Sequence, residues 1–290
     1  MILGNDKEQV IENIKECINR GEHNNKVEVN DPSLSSEQKT QIIQKYLQNR
    51  KKLSYTINNK ISRTIISGVT LTQIINTKIV GIKNIENIKT GAIITSNHFN
   101  PLDNIMVRRF VRKMGKKRLY IVCQETNLAM DGLIGYIMNY ADIIPISNQL
   151  SYMKKEFPQT LTKLLNKNNF ILIYPEQEMW FNYRKPRLPK PGAYYYAAKN
   201  NVPVISCFVE MIDKDKKDNK EFNKVKYIIH ILNPIYPDPE KTAKENSIIM
   251  MQKDYEQKKE AYEKAYNKKL DYTFEKEDIA GWITDDEEIY

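Results

Sequence analysis

The chain has 290 residues, enough for one large domain with flanking segments, and 41% of it is apolar against 28% charged, a balance that excludes wholesale disorder. Its 10 Gly and 12 Pro exclude a low-complexity repeat. The formal charge of +9 directs attention to anionic partners: nucleic acid, phosphate-bearing metabolites, an acidic carrier protein or an anionic bilayer.

Cys17, Cys123 and Cys207 are far apart, show no CxxC spacing and suit a reducing, cytosolic compartment with neither disulfides nor zinc. The opening "MILGNDKEQVIENIKEC" becomes charged within six residues, so no secretory signal is expected. The longest run without formal charge, Thr64–Thr77, has 14 residues, whereas a spanning helix needs about 20. Membrane contact is therefore expected from the surface.

In chain order, residues 1–35 read as a polar appendage with a short amphipathic stretch at Val10–Ile18. A helix should start near Ser36, with Glu and Gln in its first turn. Ile57, Ile61, Ile65, Ile66, Leu71 and Ile75 mark a second helix over Ile57–Ile75, its stripe interleaved with Lys60 and Arg63. From Ile79 onward, short apolar runs alternate with charged helical segments, the pattern of an α/β sheet. The runs are "KIVGI", "GAIITS", "LYIVCQ", "DIIPIS", "FILIYPE", "VPVISCFVEM" and "KYIIHILNPI", with helices expected at Leu102–Met114, Leu133–Tyr140, Met153–Asn166 and Ala193–Asn200. Runs apolar throughout, such as "FILIYP", are buried on both faces, which favours a mostly parallel central sheet. A charged helix with Glu and Lys at i,i+4 spacing follows Pro239, and the acidic "TDDEEIY" closes the chain. Three parts are expected: 1–77, a polar extension and helices; 78–238, the α/β core; and 239–290, a helix and acidic tail.

The chemistry concentrates in "SNHFNPLDN", Ser96–Asn104, which holds one of only three histidines. Residues five apart on a helix do not share a face, so a strand-to-helix turn must swing His98 back toward Asp103. A carboxylate on one imidazole nitrogen would fix the tautomer and leave the other nitrogen to take a proton from a hydroxyl. From spacing alone, a capping turn with a hydrogen-bonded histidine is the favoured reading over a catalytic base.

The block "TKIVGIKNIENIKTGAIITSNHFNPLD" resembles the first block of the glycerolipid acyltransferase family, the lysophosphatidic acid acyltransferase type, whose signature is Asn-His, four residues, then Asp. "ADIIPIS" resembles the second block, "ILIYPEQEMW" the third, and "KPGAYYYAAKNNVPVISCFV" its continuation and the fourth, so that the resemblance spans about Lys78–Val209. It implies an α/β fold with a central mostly parallel β-sheet flanked by helices, an N-terminal helical segment and a C-terminal helix. It also implies transfer of a fatty acyl group from a thioester, acyl-CoA or acyl carrier protein, to the hydroxyl of a lysophospholipid of the 1-acyl-glycerol-3-phosphate kind. His98 would be the general base and Asp103 would stabilise its imidazolium, with no covalent acyl-enzyme. Asn97, Glu176 and Gly192 are carried over as substrate-binding residues, and no cofactor or metal is required.

The third block departs from the family's Phe-Pro-Glu-Gly-Thr-Arg: Tyr174-Pro175-Glu176 is followed by Gln177, Glu178 and Met179. The missing arginine would hold an acceptor phosphate, and Arg184, Lys185, Arg187 and Lys190 on the loop "FNYRKPRLPK" are the candidate substitutes. If they do not serve, the acceptor lacks a phosphomonoester, as in a glycolipid, or the protein is a lipid-binding relative that has lost its chemistry. "RRFVRKMGKKR", Arg108–Arg118, holds seven basic residues and no acid, which suits a carrier protein, coenzyme A or anionic headgroups, or simply a solvated helix face. Helix Ile57–Ile75 suits a membrane interface or the domain surface equally. His23, His230, Trp180, the tyrosines of "AYYYAA" and the cysteines are expected to have no catalytic role. A nucleic-acid partner is not expected, because no recognition motif accompanies the charge. The reading is a cytoplasmic acyltransferase, peripheral on the inner face of an anionic membrane.

Overall fold

The computed structural model describes residues 6–29, 32–73 and 77–283; the acidic tail and Ile75 lie outside them. Helices α1 (Lys7–Asn19), α2 (Ser36–Asn49) and α3 (Leu53–Gln73) precede β1 (Thr77–Val80) and β2 (Ala92–Thr95). Then come α4 (Asn104–Lys113), β3 (Leu119–Gln124), α5 (Gly132–Tyr140), β4 (Ile143–Ile146), α6 (Leu150–Lys154), α7 (Glu156–Leu165) and β5 (Phe170–Leu172). The chain continues through α8 (Gly192–Lys199), β6 (Val204–Lys217), β7 (Asn223–Ile231) and α9 (Ala243–Tyr266).

All seven apolar runs become strands of one sheet, ordered β1-β7-β6-β2-β5-β3-β4. Every pairing is parallel except β6 with β7, the architecture expected from the sequence. Strand β2 lies between β5 and β6, with Ile93 opposite both Ile171 and Val204. Its alternate residues serve two cores. Ala92 and Ile94 join Val107, Phe110 and Val111 of α4 on one face. Ile93 joins Phe157 and Leu161 of α7, Tyr194 of α8 and Met250 of α9 on the other. The carboxyl ends of β2 and β5 are thus covered on both faces and open only at their tips, where ligands bind in open α/β sheets.

Four local outcomes differ from the sequence reading. Strand β6 runs on to Lys217 and pairs back on β7 through Asn223, although "IDKDKK" carries no apolar alternation, because this end of the hairpin is exposed. The helix expected over Met153–Asn166 breaks at Lys155 (φ −125°, ψ −69°). Pro158 cannot donate to the carbonyl of Lys154, and its ring clashes with that carbonyl.

The segment expected to be an appendage is instead tied in. Val10, Ile11 and Ile14 of α1 pack against Trp180, Phe181, Phe222 and Ile279. Finally, α3 turns its apolar stripe outward: Leu53, Ile57 and Ile61 are 79%, 55% and 48% exposed, while Asn59 and Ser62 are buried. Asn59 explains the inversion, donating to the Tyr140 carbonyl and Asp142 while its own carbonyl oxygen accepts from Arg118.

Candidate active site

Strand β2 ends at Thr95, and Ser96-Asn97-His98 leaves its carboxyl tip toward α4. Asn97 continues the β2–β6 ladder with its side chain: Oδ1 accepts from Val209 N at 2.8 Å and Nδ2 donates to Val209 O at 3.1 Å. The oxygen and one N–H of this buried amide are spent on Val209. The structure gives the Asn97 side chain a role in tying the turn to β6, with one N–H of its amide not spent on Val209.

His98 Nδ1 lies 2.7 Å from Asp103 Oδ2, bringing the predicted pair together. The same oxygen accepts from Phe99 N at 3.1 Å and Asn100 N at 3.4 Å, so the carboxylate caps the turn that carries the histidine. An oxygen surrounded by donors fixes the tautomer: Nδ1 carries the proton and Nε2 is left as an acceptor. The His98 side chain is 21% exposed against 3% for Asp103, so the ring reaches solvent while its partner is sealed behind it.

Tyr174, at the tip of β5, completes the group. Its ring stacks on His98 at 4.0 Å and 14°, and its hydroxyl donates to Asp103 Oδ1. Burial, with Asp103 next in effect, holds this phenol protonated far above its usual range. The sequence reading missed Tyr174; its signal was a tyrosine in place of the family's phenylalanine before Pro-Glu.

Glu176 belongs to the scaffold rather than to a substrate-facing surface. Its Oε2 accepts from His98 N at 3.2 Å, its Oε1 accepts from Arg187 N at 2.9 Å, and its carboxylate is 3.1 Å from the Arg187 guanidinium. Arg187 is buried and also donates to the carbonyls of Glu178 and His23.

The other loop cations are committed as well. Arg184 pairs with Asp213 and donates to the Glu277 carbonyl; Lys185 is sealed against Asp278 at 2.8 Å and Asp271 at 3.5 Å. The expected substitute phosphate site on this loop is therefore not assembled from Arg184, Lys185 and Arg187. Arg184 and Lys185 tie the loop to β6 and the C-terminal segment, and Arg187 is spent on Glu176. Lys190 and Gly192 are exposed at the start of α8, with Lys190 N donating to the Pro175 carbonyl. The N-terminal segment clamps the same loop: Asn24 donates to the Glu176 and Leu188 carbonyls, and Trp180 Nε1 donates to the Asn25 carbonyl.

A cavity of about 540 Å³ opens beside the turn, lined by Asn100, Leu102, Ile105 and Met106 and, across from them, Val225 and Tyr227. Glu178 is half-buried beyond the tip of β5, where it accepts from Gln124. Burial pushes the Cys123 thiol up to about 12 and that of Cys207 higher still, so neither is a thiolate nucleophile. His230 bonds Glu210 at 2.6 Å on the β6–β7 hairpin, and Trp180 is fully buried. Among the described residues, no group of three or more His, Cys, Asp or Glu side chains is placed to hold a metal.

A family model described as Acyltransferase matches residues 77–210, the span from β1 to the middle of β6. Over those residues the chain resembles an acyltransferase domain. Among solved structures, the chain is similar to PlsC, the 1-acyl-sn-glycerophosphate (LPA) acyltransferase from Thermotoga maritima. The identity is 16%, the TM-score is 0.49, and the match covers 72% of this chain and 81% of that one. No curated protein matches it.

Proposed function

We propose that this protein moves a fatty acyl group from an acyl-CoA or acyl-ACP thioester to the hydroxyl of a lysophospholipid of the 1-acyl-sn-glycerol-3-phosphate kind. The observation that carries the reading is His98 held through Nδ1 by a buried carboxylate while its ring stays partly exposed. Nε2 takes the proton of the acceptor hydroxyl as its oxygen attacks the thioester carbonyl. The imidazolium so formed is stabilised by Asp103, the C–S bond breaks, and the thiolate leaves protonated by the same imidazolium. Among the described residues, no serine or cysteine side chain bonds the His98 ring, and transfer is direct. The reaction asks no metal or prosthetic group of the protein.

The enzyme works at a membrane surface, attached peripherally to an anionic cytoplasmic leaflet. Leu53, Ile57 and Ile61 of α3 and Leu133 and Ile134 of the adjoining α5 are exposed, and a helix that buries its polar side and presents its apolar side suits an interface. Among the described residues, no helix is long and apolar enough to cross a membrane.

A specific observation favours a second reading of the acceptor. With Arg184, Lys185 and Arg187 paired inward and the Glu178 carboxylate at the strand tips, a phosphomonoester would meet little compensating charge. An acceptor without one, another lysolipid or a glycolipid, fits that arrangement.

The deciding experiment supplies acyl-CoA and acyl-ACP to the purified chain with lysophosphatidate, lysophosphatidylcholine and a monoacyl glycolipid. Preferential acylation of lysophosphatidate supports the first reading, and equal or better use of the others supports the second. Binding of lysolipids without acylation of any would make the protein a lapsed, lipid-binding relative.

A further inference from the structure

Between α3 and α4 lies a cavity of about 400 Å³ whose charged lining is wholly cationic: Arg63, Arg108, Arg112, Lys116, Lys117 and Arg118. The Ser67 hydroxyl adds a donor, that of Thr70 being spent on the Ile66 carbonyl, and Val111 and Leu119 contribute apolar surface. The fold supports this concentration of charge from behind. Asp142, buried, lies 3.5 Å from Arg63 and 3.8 Å from Arg118, one carboxylate against six cations.

The remaining charge is poorly compensated. Arg108 has a neutral partner, Asn104 Oδ1 at 3.0 Å, and burial pulls its guanidinium down to about 10. Arg112 and Lys117 have no side-chain partner among the described residues. The negative end of the α4 dipole helps to hold Arg112 and Lys113 in the last turn. It does nothing for Arg63, which comes from another helix, or for Lys117, which lies beyond the α4 terminus.

That terminus is rigid. Gly115 (φ +74°) and Lys116 close α4 by donating to the Arg112 and Val111 carbonyls, which fixes where the following lysines point. Six positive side chains from two helices and a turn, held around one cavity with no acid in its wall, make a receptor for a multiply charged anion.

We propose that this cavity is a second ligand site, apart from the His98 turn, that binds a phosphomonoester or diphosphate group. Helix α4 carries that turn at one end and Arg112 at the other, about 15 Å away along its axis. The exposed Ile57 and Ile61 lie on α3 within two turns of Arg63, so a lipid headgroup could enter from a surface that already touches apolar side chains. A free phosphate compound would use the same cations.

Calorimetric titration of the full chain at low salt separates these sources and tests the site. The probes are inorganic pyrophosphate and dihexanoyl phosphatidate below its micellar concentration. At least one is expected to bind with a Kd on the order of 10–100 µM. Tighter binding of phosphatidate identifies a headgroup site; equal or tighter binding of pyrophosphate identifies a free-phosphate site.

Arg112 and Lys117 are exposed, so R112E/K117E should fold as wild type and weaken binding by about tenfold or more, and R112Q/K117Q by less. His98→Ala should leave binding unchanged. The proposal is overturned if neither probe binds below about 1 mM, if R112E/K117E binds as wild type does, or if His98→Ala abolishes binding.

Discussion

Asp103 satisfies four groups at once: the His98 ring, the Phe99 and Asn100 amides, and the Tyr174 hydroxyl. Replacing it with Asn should therefore cost more than the base's orientation, because a buried turn loses its charged acceptor. The expected result is a kcat reduced to near background together with about 1–3 kcal/mol of stability, read by denaturant titration. Tyr174→Phe removes one hydrogen bond and keeps the stacked ring. It should lower kcat about fivefold, the worth of about 1 kcal/mol, with KM little changed. A kcat equal to wild type would show that the hydroxyl serves packing alone. The His98–Asp103 spacing was legible because both residues sit in one short turn. Tyr174 was not, since it arrives from a strand 71 residues later and only the sheet order brings it alongside. Nor could sequence show that Arg184, Lys185 and Arg187 face inward, because their partners Asp213, Asp278 and Glu176 belong to separate elements.

At the level of elements, the strand that leads into the His98 turn is held from below by α9. Asp254, fully buried, accepts from Thr95 at 3.0 Å, from Lys258 at 2.8 Å and from the Tyr194 hydroxyl, joining α9 and α8 to the last residue of β2. Asp254→Ala leaves a buried ammonium unpaired and should destabilise the fold by about 3–5 kcal/mol, visible as a large drop in Tm. A Tm within a degree or so of wild type would remove Asp254 from this role. Element types were readable from periodicity, and α9 announces its start with the capping box of Thr242 and Glu245. Orientation was not readable for α3. Its isoleucine stripe promised a buried face, but Asn59, through Asp142 and Arg118, turns the polar side in.

For the molecule as a whole, many buried phenols share one direction of shift. Burial raises Tyr152, Tyr174, Tyr194, Tyr227 and Tyr272 above the ordinary value near 10. Between the unfolded and folded values the native state binds more protons than the unfolded one, so stability falls as pH rises. The protein should be evenly stable with respect to these groups up to about pH 9, then unfold cooperatively as pH climbs past about 10. Phenolate absorbance and loss of circular dichroism should change together; phenolate appearing well before unfolding would contradict the burial. The net charge of +9 and the exposed α3 stripe predict binding to anionic vesicles, weakened by Ile57→Ser with Ile61→Ser and by high salt. Co-sedimentation indistinguishable from wild type would remove α3 from the contact. The most direct test of the catalytic reading is acceptor-dependent release of thiol from an acyl-thioester by wild type and His98→Ala. The account predicts a rate reduced ~10²–10⁴-fold in the variant, with an unchanged circular dichroism spectrum and no acyl-protein in either. Comparable acceptor-dependent release by His98→Ala, or a covalent acyl-protein that forms and turns over, would contradict it.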